Sequence, residues 1–279
     1  MQHADPMTLA ALARRADPDR YLCALFAPAA ARPALFGLIA FNHELARARE
    51  ATRQPVAALI RLQWWRDTLA EVAAGAPPRR HEVAAPLHAL IVAGALDAAT
   101  LGRLVDAREA ETEPEGIPTR AAFGAYLRAT AGGMALAAAE VVGVVESAWA
   151  PLSRIGAWYG LAGVLRSLPA HAAQGRCLLP GEALSELGLS AESVVANPGV
   201  AAGLVAALAA EGQAALAAEM AALGVAPPGA AVVTLQAVLA RRDLVRLAAG
   251  APVPARRLGD RLAVMWAGLG ETSKNARFL

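Results

Sequence analysis

The stretch of sequence that decides the fold is LFGLIAFNHELARARE, residues 35–50. Its apolar residues recur every three or four positions, the spacing that places side chains on one face of an α-helix. The residues on this face are Leu35, Leu38, Ile39, Asn42 and Leu45. The pattern predicts an amphipathic helix over residues 33–51, with Pro33 in its first turn. The charged end of this helix is either a functional site or a solvated surface.

The composition sets limits on the class of protein. The chain has 279 residues, of which 56% are hydrophobic, enough to bury a large core. The net charge is only +2, and no window combines basic with regularly spaced aromatic residues, so we expect no nucleic-acid partner. Cys23 and Cys177 show neither metal-ligand nor disulfide spacing, which favours a reducing compartment.

The same features predict where the protein works. The N-terminal residues lack the basic start and apolar core of a signal peptide. Residues 193–210 and 220–240 are uncharged, but NPG and APPG interrupt them, so we predict no transmembrane helix. We therefore expect a cytoplasmic protein, with peripheral contact with the inner (plasma) membrane as an alternative.

Proline and glycine divide the chain into helices, and alternating β-branched runs typical of strands are missing. We expect about a dozen helices, the longest over residues 33–51, 55–74 and 148–168. The sequence shows no repeat of fixed period, which argues against a solenoid fold. The predicted fold is all-α, a single domain over residues 1–279 with its helices around a shared interior.

The charged end of the first long helix has a simple interpretation. Glu50 follows Arg47 by three positions and Ala46 by four, so the three residues are expected on one face. Arg47 and Glu50 would then form an ion pair on a solvated surface, where such pairs contribute little to stability.

Four segments of the sequence, taken in chain order, favour a functional origin for this charged end over a purely solvated surface. They read RYLCALFAPAAARPALFGLIAFNHELARARE, LIRLQWWRDTL, YLRATAGGMA and GLAGVLRSLPAHAAQGRCLLP. Together they resemble the squalene/phytoene synthase family, most clearly over residues 21–189. The resemblance implies a helical bundle of the isoprenoid synthase type with a central cavity. Known members join two isoprenoid diphosphates head to head, with Mg²⁺ held by two aspartate-rich helical motifs.

Both aspartate-rich motifs are degenerate here. The acidic positions of the first motif fall on Ala46, Arg47 and Glu50, and those of the second fall on Ser167 and His171. Mg²⁺ needs oxygen ligands, and a guanidinium at position 47 repels the cation. We therefore predict that Mg²⁺-dependent condensation is lost, and that no metal site is present.

Pro169 lies between the two positions of the second motif. Proline lacks an N–H and disfavours helix at the residue before it. We therefore expect His171 to leave the helix that carries Arg166.

Several basic residues of the family pattern remain. Arg166 and Arg176 match it, and with Arg47 they could bind phosphate through guanidinium contacts without a metal. The alternative is that these arginines are structural and pair with helix ends or with Glu44 and Glu50.

Other residues are candidates for contact with a partner or with the cavity. Trp64 and Trp65 are consecutive and cannot share a helix face, so we expect one in the core and the other against a neighbouring element. The full set of candidates is Asn42, Glu44, Arg61, Trp64, Trp65 and Tyr126.

The amino-acid sequence of these segments most resembles the family branch related to the mitochondrial complex I assembly factor. This implies a non-catalytic helper of respiratory complex I biogenesis, with a respiratory-chain assembly partner or an isoprenoid or phospholipid ligand, and with no cofactor. The alternative is an active prenyltransferase of the phytoene/squalene synthase type with atypical ligands. That enzyme would need Mg²⁺ and would bring Glu44, Glu50 and His171 together at one cavity.

Overall fold

The computed structural model describes residues 6–50, 54–113 and 116–275, and within them the chain is helical without a β-strand. The helices in chain order are α1 Pro6–Ala16, α2 Pro18–Ala24, α3 Arg32–Glu50, α4 Pro55–Ala73, α5 Ala84–Val92, α6 Ala98–Asp106, α7 Arg120–Leu127, α8 Gly133–Val141, α9 Trp149–Arg166, α10 Leu168–Ala173, α11 Gly181–Ser185, α12 Ala191–Ala196, α13 Ala202–Leu223, α14 Ala231–Ala248 and α15 Leu258–Asn275. The prediction of an all-α bundle of the isoprenoid synthase type is confirmed.

The three long helices predicted from the sequence are present. Residues 33–51 correspond to α3, 55–74 to α4 and 148–168 to α9, each within two residues at the described ends. The apolar stripe of α3 is buried as expected, and its polar member, Asn42, faces a central cavity. Periodicity was therefore a sufficient guide wherever a long helix buries one face.

The long helix breaks after Arg166, as Pro169 predicts, and a short helix follows it. The helix α9 does end there, but His171 lies in the short helix α10, with Pro169 in its first turn. The N–H of His171 donates to the carbonyl oxygen of Ser167 at 2.9 Å. The prediction that His171 leaves the helix that carries Arg166 is therefore confirmed, but His171 stays helical, because a proline in the first turn starts a new helix without losing a hydrogen bond.

Helix α9 runs through the bundle and packs against α8, α13 and α14. A five-residue π-helical segment, Arg128–Gly132, joins α7 to α8 and lies directly against α9. At Gly156 a Cβ atom would lie 2.4 Å from the Cβ of Ala135, and at Gly160 one would lie 2.5 Å from the Cβ of Ala131. Glycine at these two positions therefore allows the backbones to approach closely.

The two uncharged windows behave differently from each other. Residues 220–240 are divided between α13 and α14 by the turn that contains APPG. The stretch Pro198–Leu223, of 26 residues, is long and apolar enough to cross a membrane by length and composition, and 39% of its most apolar window is buried in the bundle. The core helix of a soluble protein meets the same criteria, so the finding is weak evidence for a membrane span.

Candidate functional site

The bundle encloses a cavity of about 560 Å³ between α2, α3, α7, α9, α10 and α14. Polar and charged side chains make up much of its wall. Five arginines and four carboxylates line it: Arg20, Arg108, Arg166, Arg176, Arg256, Asp17, Asp19, Glu111 and Asp243. Their arrangement determines whether the cavity can hold Mg²⁺ and a diphosphate.

The first degenerate motif turns only one of its described positions toward the cavity. Ala46 lines it, next to Asn42 and His43. The side chain of Arg47 is 52% exposed and pairs with Glu44 at 3.3 Å, outside the cavity. The predictions that Arg47 joins a cationic pocket and shares a face with Ala46 are wrong. The side chain of Glu50 lies outside the described part of the structure.

The second motif supplies no carboxylate either. Ser167 and His171 both line the cavity. Burial, followed by the nearby positive charge of Arg176, lowers the pKa of His171 to about 4. The imidazole is therefore neutral at pH 7, and no anionic ligand for a metal stands at either position of this motif.

Glu111 forms the most buried charge cluster of the cavity. Its carboxylate accepts from Arg108 and from Arg176, each at 2.6 Å, and from the hydroxyl of Tyr126 at 2.8 Å. The side chains of Glu111 and Arg176 are each only 5% exposed. Burial opposes ionisation, but Arg108 and Arg176 hold the pKa of Glu111 below its ordinary value. The carboxylate is therefore ionised and fully engaged.

A second cluster lies where the loop before α15 meets α14. The buried carboxylate of Asp243 accepts from Arg256 at 2.6 and 2.8 Å and from Arg166 at 3.0 Å. Arg256 also donates to Asp19 at 2.7 Å. Arg166 and Arg176 are thus in ion pairs with Asp243 and Glu111, whereas the predicted partner Glu44 pairs with Arg47.

The fourth carboxylate, Asp17, caps α2 and pairs with Arg20 at 2.7 Å. The guanidinium of Arg20 lies 4.8 Å from the ring centre of Tyr159, a cation–π contact. Each carboxylate of the described cavity wall therefore has a guanidinium within 2.7 Å. A divalent cation would have to compete with a guanidinium at every one of them, so the donor set does not favour Mg²⁺.

Among the described residues, no group of three or more His, Cys, Asp or Glu side chains is placed to hold a metal ion. Glu44 and His171, which an enzyme with atypical ligands would bring together, lie apart. Glu44 pairs with Arg47 and stands 3.8 Å from His81, whereas His171 faces the central cavity. The predicted convergence of these two residues is wrong.

Beyond Arg20 the interior is nearly closed. The space there is about 10 Å³, between apolar side chains that include Leu38, Ile39 and Met134. That is about the volume that a single water molecule requires. Among the described residues, the central cavity, called the chamber below, is thus polar, and the apolar space beside Arg20 is too small for a long isoprenoid chain.

Three buried polar atoms around the chamber have no hydrogen-bond partner within the described protein. They are Nε of Arg20, Nε of Arg176 and Nδ1 of His171. Buried polar atoms are normally satisfied, so each of these indicates a place for water or for a small polar ligand.

Most of the other predicted contact residues lie elsewhere. Trp65 is buried with its ring centre 5.1 Å from that of Phe41, and Trp64 is half-buried, 5.3 Å from the ring of His81. The expectation that one tryptophan enters the core and the other meets a neighbouring element is confirmed. Of the predicted contact residues, Asn42 and Tyr126 line the chamber, whereas Glu44, Arg61, Trp64 and Trp65 do not.

The charged partners of the retained arginines were missed from the sequence. Asp17, Asp19 and Asp243 belong to no motif, and Glu111 follows a run of surface charges. The available signal was weak: Asp243 is the acidic residue of a helical window that otherwise holds apolar residues and arginines, and a carboxylate has to be paired if it is buried.

Comparison with known proteins places this geometry in context. The family model for squalene/phytoene synthase matches residues 13–262. Human NADH dehydrogenase (ubiquinone) complex I, assembly factor 6, is 29% identical over 182 residues, covering 65% of this chain and 54% of that protein. Its Drosophila melanogaster homologue is 30% identical over 190 residues, covering 66% and 57%. The chain thus spans little more than half the length of these relatives.

Two solved structures have the same fold. Squalene synthase HpnC from Alicyclobacillus acidocaldarius superposes with a TM-score of 0.71 at 17% identity, covering 89% of this chain and 95% of that one. A dehydrosqualene synthase in complex with a ligand gives a TM-score of 0.74 at 14% identity, covering 97% and 100%. At such identities the likeness establishes the architecture alone.

Proposed function

The chain belongs to the squalene/phytoene synthase family, and from that premise we propose that it is a non-catalytic member that assists the assembly of respiratory complex I. The relatives with about 30% identity are assembly factors of that complex. The solved synthases share the fold at 17% and 14% sequence identity, about half that value. The proposed partner is accordingly a protein of the respiratory chain, met in the cytoplasm or at the inner membrane.

The observation that carries the proposal is the neutralisation of the chamber by arginine. Ionisation of an isoprenoid diphosphate needs Mg²⁺ between the leaving group and protein carboxylates. Here Glu111 and Asp243 each bind two guanidinium groups, and Asp17 and Asp19 bind one each at 2.7 Å. The charges that would hold the metal instead hold the helices together.

The closed interior supports the same proposal against an active prenyltransferase. A condensing enzyme has to bury two long apolar chains in its ground state. The space beyond Arg20 admits about one water molecule, and its apolar walls are tightly packed. An enzyme with atypical ligands would need both a new metal site and a rearranged core.

Genetic deletion tests the assembly role. We expect loss of the gene to lower NADH-linked respiration and the amount of assembled complex I, while succinate-linked respiration continues as the matched control. Re-expression of the intact chain should restore both readouts. Unchanged complex I content and unchanged NADH oxidation in the deletion strain would exclude the role.

A second function is favoured by the unsatisfied atoms of the chamber. We propose that it admits a small phosphate-bearing group, because five arginines face four carboxylates there and Arg20, Arg176 and His171 each have an unsatisfied nitrogen. Arg166 is the partly exposed arginine of the wall, with 32% of its side chain accessible. It is therefore the residue that an incoming anion can reach first.

Calorimetry with inorganic pyrophosphate tests this binding. Arg166→Leu should weaken the affinity at least about tenfold, the loss expected for one charge-assisted contact. Arg47→Leu is the matched control, because Arg47 is exposed and lies outside the chamber. Equal affinities for the two variants and the unaltered protein would remove the proposal.

A further inference from the structure

The C-terminal helix α15 exposes a row of large apolar side chains to solvent. Its exposed members are Leu258, Leu262, Met265, Trp266 and Leu269. Their spacing of three and four residues places them on one face of the helix. Trp266 is 82% exposed, the largest value among the exposed large hydrophobic residues of the described chain. We call these five residues the α15 apolar face.

The opposite face of the same helix attaches it to the bundle. Val264 is fully buried, and Gly268 lies so close to Phe26 that an added Cβ would meet its ring. Asp260 is buried and accepts from Arg242 of α14 at 2.7 Å. The helix is therefore held in place by its inner side, and its apolar face points away from the protein.

The charges beside this face are positive. Arg257 and Arg261 are exposed at the start of the helix, and Arg241 is exposed on α14, against which α15 packs. In residues 257–270 the acidic side chain is that of Asp260, which is buried in its pairs with arginine, and the side chain of Glu271, the next residue of α15, lies outside the described part of the structure. The exposed part of this segment is thus apolar and cationic without a described acidic group.

We propose that α15 docks the protein on the surface of an anionic phospholipid bilayer. Leucine, methionine and tryptophan on one helical face, flanked by arginine, form the pattern that inserts into the headgroup and acyl boundary. Arg257, Arg261 and Arg241 would contact lipid phosphates while the apolar face enters the boundary region. This surface is independent of the assembly role and of the chamber.

Two features favour a bilayer over a protein partner. The α15 apolar face combines leucine, methionine and tryptophan on a single exposed helix, the composition of helices that lie in a membrane interface. The exposed charges described beside it, those of Arg241, Arg257 and Arg261, are all positive, as an anionic membrane requires, whereas most protein interfaces combine both signs.

Vesicle sedimentation with the full chain tests the proposal. We expect binding to mixed phosphatidylcholine and phosphatidylglycerol vesicles, little binding to phosphatidylcholine alone, and weaker binding at high salt. Leu262→Ser and Trp266→Ser should each reduce the affinity about tenfold, since each removes one inserted side chain. Leu187→Ser is the matched control, because Leu187 is 57% exposed, close to the 51% of Leu262, but lies far along the chain between α11 and α12.

A second readout covers variants that do not fold. Brominated lipids should quench the fluorescence of Trp266 in the unaltered protein, seen as the difference from Trp266→Phe. Absence of binding to anionic vesicles, or equal binding by Leu262→Ser and Leu187→Ser, would overturn the proposal. So would a dimer in light scattering that Leu262→Ser and Trp266→Ser dissociate, because the α15 apolar face would then be a contact between copies.

Discussion

Replacing Glu111 with glutamine should destabilise the protein strongly, because the carboxylate of Glu111 is the buried counter-charge of two arginines. The carboxylate receives three short hydrogen bonds, from Arg108, Arg176 and Tyr126, and is 5% exposed. A neutral amide would leave two guanidinium groups partly buried without a counter-charge. Breaking one partner of a buried ion pair costs about 3–5 kcal/mol.

The assay is thermal or denaturant unfolding at pH 7. For a domain of this size, about 2–4 °C of melting temperature corresponds to 1 kcal/mol, so the variant should melt roughly 10 °C below the unaltered protein. Glu109→Gln is the control, since Glu109 is two positions away, half-exposed, and pairs with Arg66 at 2.5 Å on the surface. An exposed pair of this kind is worth less than about 1 kcal/mol.

The pH dependence has a definite sign. The pKa of Glu111 is lower in the folded protein than in the unfolded chain. Its stabilisation is therefore complete above the unfolded pKa, near 4.3, and is lost as the pH falls through the lower folded pKa. Equal melting temperatures for Glu111→Gln and Glu109→Gln would refute the reasoning, because the chamber carboxylate would then be dispensable.

Three further changes test other parts of the structure. The pKa of His171 is about 4 in the folded protein, so between pH 6.5 and 4 the unfolded chain binds a proton that the folded chain does not. The free energy of unfolding should therefore fall by up to about 3 kcal/mol as the pH is lowered over that range. In acid unfolding curves, His171→Gln should remove this loss. Gly156→Ala should lower the free energy of unfolding by about 1–3 kcal/mol, because the added Cβ would lie 2.4 Å from the Cβ of Ala135 in α8. Gly163→Ala on the same helix is the control: its Cβ would meet nothing within 4 Å, so thermal unfolding should show a neutral or slightly stabilising effect. The triple variant Ala46→Asp, Ser167→Asp, His171→Asp should gain affinity for Mg²⁺ with pyrophosphate in calorimetry. It should still form no prenyl product, since the apolar space beside Arg20 stays too small for an isoprenoid chain. Product formation would show that the missing carboxylates were the sole defect.

The sequence was informative where a pattern repeats over many residues. The apolar stripe of α3 and the lengths of α4 and α9 followed from helical periodicity, because each helix buries one face in the core. The loss of acidic groups at positions 46, 167 and 171 was also visible in advance, since Ala, Ser and His replace them. The structure adds that all three positions face the chamber.

The ion pairs could not be predicted in the same way. Arg176 and Glu111 are 65 residues apart, and Arg166 and Asp243 are 77 apart, so no helical spacing connects them. Arg47 was assigned to the chamber because it aligned with a metal-binding position. A turn of about 100° per residue moves it away from Ala46 and into solvent beside Glu44. Side-chain direction within an aligned helix was the information that the sequence lacked.

Incubation of the purified chain with farnesyl diphosphate and Mg²⁺, with release of pyrophosphate and formation of prenyl hydrocarbon both followed, tests the loss of catalysis most directly. A dehydrosqualene synthase assayed in parallel provides the positive control. Since the described chamber carboxylates are bound by arginine and the interior is closed beyond Arg20, we expect no pyrophosphate above the level without protein. Metal-dependent pyrophosphate release accompanied by a condensed hydrocarbon would contradict the non-catalytic role.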